Sequence, residues 1–163
     1  MSPKNQPGLN SSNPSPYPMR NVEDGFLFET DFGITYAIRF TDDSGYIPES
    51  SFVGTLFSFS ITPIAGQVKQ KDPRVEQTVI KAILLTFEAL PTAVINYVCS
   101  LDDDQEVVRS RLFHRWYLKA GTNHFVKFDQ TDTESRIFTS VIFSKNHPAE
   151  EEIRRRFDRT FDK

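Results

Sequence analysis

The stretch from Tyr97 to Trp116 holds the residue types best suited to chemistry. An apolar run, Ala93-Val94-Ile95-Asn96-Tyr97-Val98, closes on Cys99. Asp102, Asp103 and Asp104 follow, then a segment of helical spacing that carries Arg109, Ser110, Arg111, His114, Arg115 and Trp116. In open sheets, ligands bind just beyond the carboxyl ends of strands. Acids, a thiol and guanidinium groups meet at such a junction here. Three aspartates could hold a divalent cation, a thiol before a helix could act as a nucleophile, and an arginine could receive a carboxylate or phosphate.

Each of these has a plainer counterpart. One aspartate caps the helix and the others favour the positive end of its dipole; a metal site needs further carboxylates that nothing in the sequence identifies. For Cys99 a helix start favours the thiolate, but three neighbouring carboxylates oppose it. Neither His114 nor His124 is placed beside Cys99 by the sequence, so a buried structural cysteine is the simpler reading. The three histidines, His114, His124 and His147, lack metal-ligand spacing. No glycine-rich phosphate loop or nucleophile elbow occurs. No catalytic residue, metal or cofactor is therefore assigned.

Arg109 is the sharpest single feature. At about 100° per residue, Val108, Leu112, Phe113, Trp116 and Ala120 share one helix face, and Arg109 falls near its middle. Arg111, Arg115 and Lys119 lie toward its edge. A charge inside an apolar stripe must find a partner, stack or snorkel. Stacking on Trp116 is one solution. An ion pair with Glu76, which falls in the apolar stripe of an earlier helix, is another, and Asp102 to Asp104 compete for the same arginine. The cluster of Cys99, Asp102, Asp103, Asp104, Arg109, Arg111 and Trp116 is thus functional or structural. Arg111, Arg115, Lys119 and Lys127 form a candidate anion-binding set. By contrast Arg154, Arg155, Arg156 and Arg159 are interleaved with Glu150, Glu151, Glu152, Asp158 and Asp162, which reads as a solvated helix face paired at three- and four-residue spacing.

The elements that must position these residues follow from pattern. Residues 1–21 contain five of the ten prolines, separated by Asn, Ser and Gly, and read as a disordered tail. Residues 22–163 read as one domain. Strands are expected at 26–30 and 34–40, joined by Asp31-Phe32-Gly33, with Ile34, Tyr36, Ile38 and Phe40 on one face and Thr35, Arg39 and Thr41 on the other. A third strand is expected over 52–61, then a loop from Pro63 to Lys71. Asp72-Pro73 opens a helix whose stripe is Val75, Val79, Ile80, Ile83, Leu84 and Phe87. A central strand at 93–99, a helix over 104–119, strands at 123–129 and 136–144, and a helix over 148–161 complete the order βββ-α-β-α-ββ-α. The fold class is α+β: one mixed, mostly antiparallel sheet of about six strands, with three helices packed on one face.

Composition bounds the functions. The net charge of −3 gives no general attraction to nucleic acid or anionic membranes. Fifteen Phe, five Tyr and one Trp read as an aromatic sheet core, with an exposed stacking surface as the alternative. A single cysteine excludes an internal disulfide and suits a reducing, cytoplasmic setting. No apolar run reaches the ~18 residues of a membrane span, and Met1 to Gly8 lacks the apolar core of a secretion signal.

Taken together, Asp72-Pro73-x-Val75-x-x-Thr78-Val79, Tyr97-Val98-Cys99-Ser100, Arg109-x-Arg111-Leu112-Phe113-x-x-Trp116 and Asn146-x-Pro148-x-x-Glu151-x-Ile153-x-x-x-Phe157 resemble a family of small bacterial cytoplasmic proteins known only as a domain of unknown function. The resemblance spans about residues 25–160 and implies no activity, cofactor or catalytic residue. Ser100 departs from its pattern, which leads one to expect an acid there.

The leading expectation is a non-enzymatic protein-binding or regulatory module, and its sign would be an exposed apolar patch or an unpaired sheet edge. The rivals are a small enzyme acting on a phosphorylated or nucleic-acid substrate between Asp102 and Arg115, and a nucleic-acid binder using Arg111, Arg115, Lys119 and Lys127 on one open face.

Overall fold

The computed structural model describes residues 14–43, 55–100, 114, 115, 117–119, 123–132, 134 and 136–158. Four strands come first: β1 (Arg20–Val22), β2 (Gly25–Glu29), β3 (Thr35–Asp42) and β4 (Leu56–Ala65). Helix α1 (Pro73–Ala89) and strand β5 (Val94–Ser100) follow. Helix α2 is described at residues 114, 115 and 117–119. Strands β6 (Phe125–Asp132) and β7 (Ile137–Ser144) precede α3 (Glu150–Asp158). The strands form one mixed sheet in the order β1-β2-β3-β4-β5-β7-β6. Every pairing is antiparallel except β4–β5. The class and element order are those expected, with seven strands rather than about six.

The hairpin between β2 and β3 closes through Thr30 N–H to Ile34 O at 2.8 Å and Gly33 N–H to Thr30 O at 3.1 Å, with Gly33 at φ +76°. The alternation along β3 holds: Tyr36, Ile38 and Phe40 meet the core, while Arg39 and Thr41 are exposed. Strand β4 runs on through Pro63, where a loop was expected. The reason is local pairing. β4 meets β5 only from Leu56↔Val94 to Ser58↔Asn96, after which the two parallel strands diverge. Pro63 pairs with Tyr36, and its missing N–H falls on the side that β5 has left. Proline is tolerated at such an edge.

Helix α1 starts as its sequence requires. The Asp72 carboxylate accepts from Arg74 N–H at 3.0 Å, and Pro73 takes the first helical position. Val79, Ile80, Ala82, Ile83 and Phe87 are buried against Phe28, Ile38, Phe59, Ile95 and Ile142. Leu84, expected in the stripe, is exposed at its flank. A second cluster lies on the opposite face: Leu56, Val94, Val141 and Phe143 pack around Ile153 of α3. The helices therefore cover both faces rather than one. Neighbouring residues such as Val94 and Ile95, or Val141 and Ile142, point to opposite sides of a strand, and all four are buried. Burying apolar side chains on both sides requires a helix on each.

The tail expected over 1–21 does not extend through residues 14–21. Residues 1–13 lie outside the described residues, but residues 14–22 belong to the fold. Tyr17 is buried and stacks on Phe28 with ring centroids 5.9 Å apart. Its hydroxyl donates to Asp72 at 2.5 Å and accepts from Asp31 N–H at 3.2 Å. The Arg74 guanidinium lies 3.8 Å from the ring centroid and bonds Ser15 O at 2.8 Å and Asp31 at 3.0 Å. One tyrosine thus supplies the apolar anchor that the proline-rich composition conceals, and β1 follows by pairing with β2.

Gly25 offers a direct test of the β2–β3 register. A Cβ there would stand 1.9 Å from the Ile38 carbonyl oxygen, a backbone atom that cannot move aside. Gly25→Ala is expected to lower stability by about 3 kcal/mol. Gly33→Ala meets nothing within 4 Å and should lose only about 1 kcal/mol through its left-handed backbone. Thermal melts followed by circular dichroism would show this order; equal losses at the two positions would contradict the register.

Candidate functional site

The described part of α2 is fixed to α1 by one carboxylate. Glu76, in the first turn of α1, has a side chain only 12% exposed. It accepts from Arg115 at 2.9 and 3.0 Å and from the Lys119 ammonium. Arg115 and Lys119 are four residues apart and so share a face of α2. Burial alone would raise the Glu76 pKa, but hydrogen bonds from Lys119 and Arg115 outweigh it and hold the carboxyl below its ordinary value.

A second polar group ties α2 to the end of the sheet. Tyr117 packs against the main core cluster and donates its hydroxyl to Phe125 O at 3.0 Å. Burial, and then the charge of Asp129, raises the Tyr117 pKa. The Lys127 side chain is 3% exposed. Its ammonium bonds the Asp129 carboxylate, lies 3.2 Å from His114 Nδ1 and sits 5.8 Å from the Tyr117 ring centroid. Ser140, fully buried on β7, donates to the same Asp129 oxygen at 2.8 Å. With lysine as the donor, His114 Nδ1 must accept. The Ser140 hydroxyl faces a carboxylate from inside the protein, out of reach of a substrate. This network neutralises charge and holds α2 against β6.

The expected site residues divide accordingly. Arg115 and Lys119 share Glu76, and Lys127 holds Asp129, so these three each already face a carboxylate; Arg111 lies outside the described residues. The carboxylate of Glu76, considered a partner for Arg109, has Arg115 and Lys119 as its described partners. Arg109 itself, Asp102, Asp103, Asp104 and Trp116 lie outside the described residues. Of Cys99 the backbone is described, in β5 opposite Phe138. On α3, Arg154 pairs with Glu150 and Arg156 with Glu152 at four-residue spacing, as the interleaved charges indicated. Sequence reasoning missed Asp129, Ser140 and Tyr117. The signal for Asp129 was present: Lys127 and Asp129 are two apart on a strand, and so lie on one face.

β6 is the outermost strand of the sheet at this end. It is eight residues long, against three for β1 at the other end. Among the described residues no strand pairs with its outer side. His124 O accepts from Lys145 N–H across the β6–β7 pair. Antiparallel alternation then turns Val126, Phe128 and Gln130 toward β7 and the backbone groups of Lys127, Asp129 and Thr131 outward. Beside this edge, on the α3 face, lies an open cleft of about 200 Å³ lined by Phe128, Gln130, Thr139, Val141 and Phe157. Arg154 stacks over Phe128 at 4.6 Å.

The fold and site define an α+β protein in which, among the described residues, the long outer edge of β6 is bordered by a cleft and braced by a charged seam. The chain belongs to a family of unknown function (DUF6169), whose model matches residues 71–159, more than half of its length. The match takes in α1, β5, β6, β7 and α3. No curated protein and no solved structure matches the chain. Among the described residues, no helix is long and apolar enough to cross a membrane.

The Glu76 bridge gives a pH test. Because the folded carboxyl is held below its ordinary 4.5, its contribution is fully present above that value and is lost as the pH falls through the lower folded value. At pH 7, Glu76→Gln is expected to lower stability by about 1–2 kcal/mol, since Arg115 and Lys119 can be rehydrated. At about pH 3 the wild-type and variant melting temperatures should draw together. A gap that stays constant across this range would remove the ionic role of Glu76.

Proposed function

We propose that the protein is a non-enzymatic, cytoplasmic protein-binding module that takes an extended segment of its partner as an added strand on β6. The observation that carries this reading is the long outer edge of β6. An exposed edge presents a row of backbone donors and acceptors and is a ready template for another strand. Strand addition draws affinity from main-chain hydrogen bonds and specificity from pockets for alternate side chains. The cleft lined by Phe128, Gln130, Val141 and Phe157 borders this edge on the face toward which every second side chain of an added strand would turn. The carboxylate partners of Arg115, Lys119 and Lys127 weigh against a purely electrostatic role for these cations. The single cysteine accords with a reducing compartment.

The reading is tested with a random peptide library selected against the immobilised full chain. Thr131 turns its N–H outward, so Thr131→Pro deletes an edge donor without touching the β7 ladder. Selected peptides are expected to bind wild type and to lose at least tenfold in affinity on Thr131→Pro, while the melting temperature stays within a few degrees. Peptides that bind both proteins equally would place recognition elsewhere and defeat the proposal.

A further inference from the structure

We infer that the β6 edge accepts a second copy of this chain, the two β6 strands pairing antiparallel about a twofold axis at Phe128; this rests on β6 being a binding edge. Register decides how two such edges can pair. A strand that pairs through its outer side must set outward-turned residues opposite outward-turned residues. In β6 these are Lys127, Asp129 and Thr131, while the outward carbonyl of Phe125 accepts from Tyr117. Twofold pairing therefore centres on a single residue. Centred on Lys127, two ammonium groups oppose each other, and centred on Asp129, two carboxylates do. Like charges directly opposite are destabilising. Centred on Val126 or Gln130, neither charge meets its opposite across the pair. Only the register centred on Phe128 sets Lys127 against the other copy's Asp129, twice, in hydrogen-bonded pairs.

Side chains agree with this register. Lys127 and Asp129 lie on the α2 face, so their cross-strand pairing joins two networks that already hold Lys127 against Asp129. Asp129, with a side chain 43% exposed, has room for a second ammonium. On the α3 face Phe128 meets the other Phe128 in a non-hydrogen-bonded pair, where side chains come closest, and aromatic pairs add to sheet stability. Val126 stands opposite Gln130 of the second copy. The axis is perpendicular to the sheet, so both copies keep α1 on one side and α3 on the other, and the two clefts meet at the axis. An edge used in this way is no longer a liability for uncontrolled aggregation.

The test joins oligomeric state to register, using the full chain in a Cys99→Ser background. Sedimentation of the wild type at about 100 μM is expected to show twice the 18.7 kDa chain mass. Phe128→Cys should form an intermolecular disulfide on mild oxidation, since opposed Cα atoms in such a pair lie within bridging distance. Val126→Cys and Gln130→Cys should each fail to cross-link alone and should cross-link when mixed, which keeps the register testable if Phe128→Cys does not fold. A dimer with other cross-links overturns the proposal. So does a monomer at this concentration. If that monomer still yields peptides lost on Thr131→Pro, the edge reading stands without self-pairing; if it does not, both fall.

Discussion

The structure depends on the burial of β5 and β7 on both of their faces. Val94 and Ile95 are adjacent in sequence and point to opposite sides, and neither has measurable exposure. Val141, Ile142 and Phe143 repeat the pattern on the next strand. Burying such side chains is worth roughly 1.5–3 kcal/mol each, so neither face can be left to solvent. Helix α1 covers one and α3 the other. β6 lies outside β7, and among the described residues only one of its sides is paired.

That placement links the core to the site. β6 is held by β7 and by α2, through Tyr117 on Phe125 O and through His114 against the buried ammonium of β6's own Lys127. Helix α2 is in turn held to α1 by Glu76. The same residues that keep β6 in register therefore also satisfy its charges, and its outward backbone groups become the main chemical resource of this end of the molecule. At the opposite end β1 is only three residues long, and a short edge is one of the ways proteins limit unwanted pairing. The asymmetry between the two edges is what gives β6 its interest.

The fold was largely legible because its signals are local. Asp72-Pro73 marks a helix start, Gly33 a turn, and alternation along β3 a half-buried strand. What escaped depends on partners distant in sequence. Nothing about Pro63 says that β5 has already diverged there, and only that divergence makes a strand proline harmless. Tyr17 sits among prolines, and its anchor, Asp72, is 55 residues away. Two-sided burial was visible in Val94-Ile95 and Val141-Ile142-Phe143, yet periodicity along one strand does not say which helix lies on which face. At the site, Lys127 reads as a free cation until its own strand period is applied and Asp129 is counted with it. Glu76 was weighed only as a partner for Arg109, which lies outside the described residues; that Arg115 and Lys119 answer it is a matter of how α2 is rotated.

The most direct measurement is residue-resolved hydrogen exchange along β6 in dilute solution. Amides paired to β7 should exchange slowly and outward amides fast, giving an alternation in which Val126, Phe128 and Gln130 are protected and Lys127, Asp129 and Thr131 are not. That pattern is expected if the edge is open and free to receive a strand. Uniform protection at every dilution would mean that the chain covers its own edge, and the account of β6 as a binding strand would be wrong.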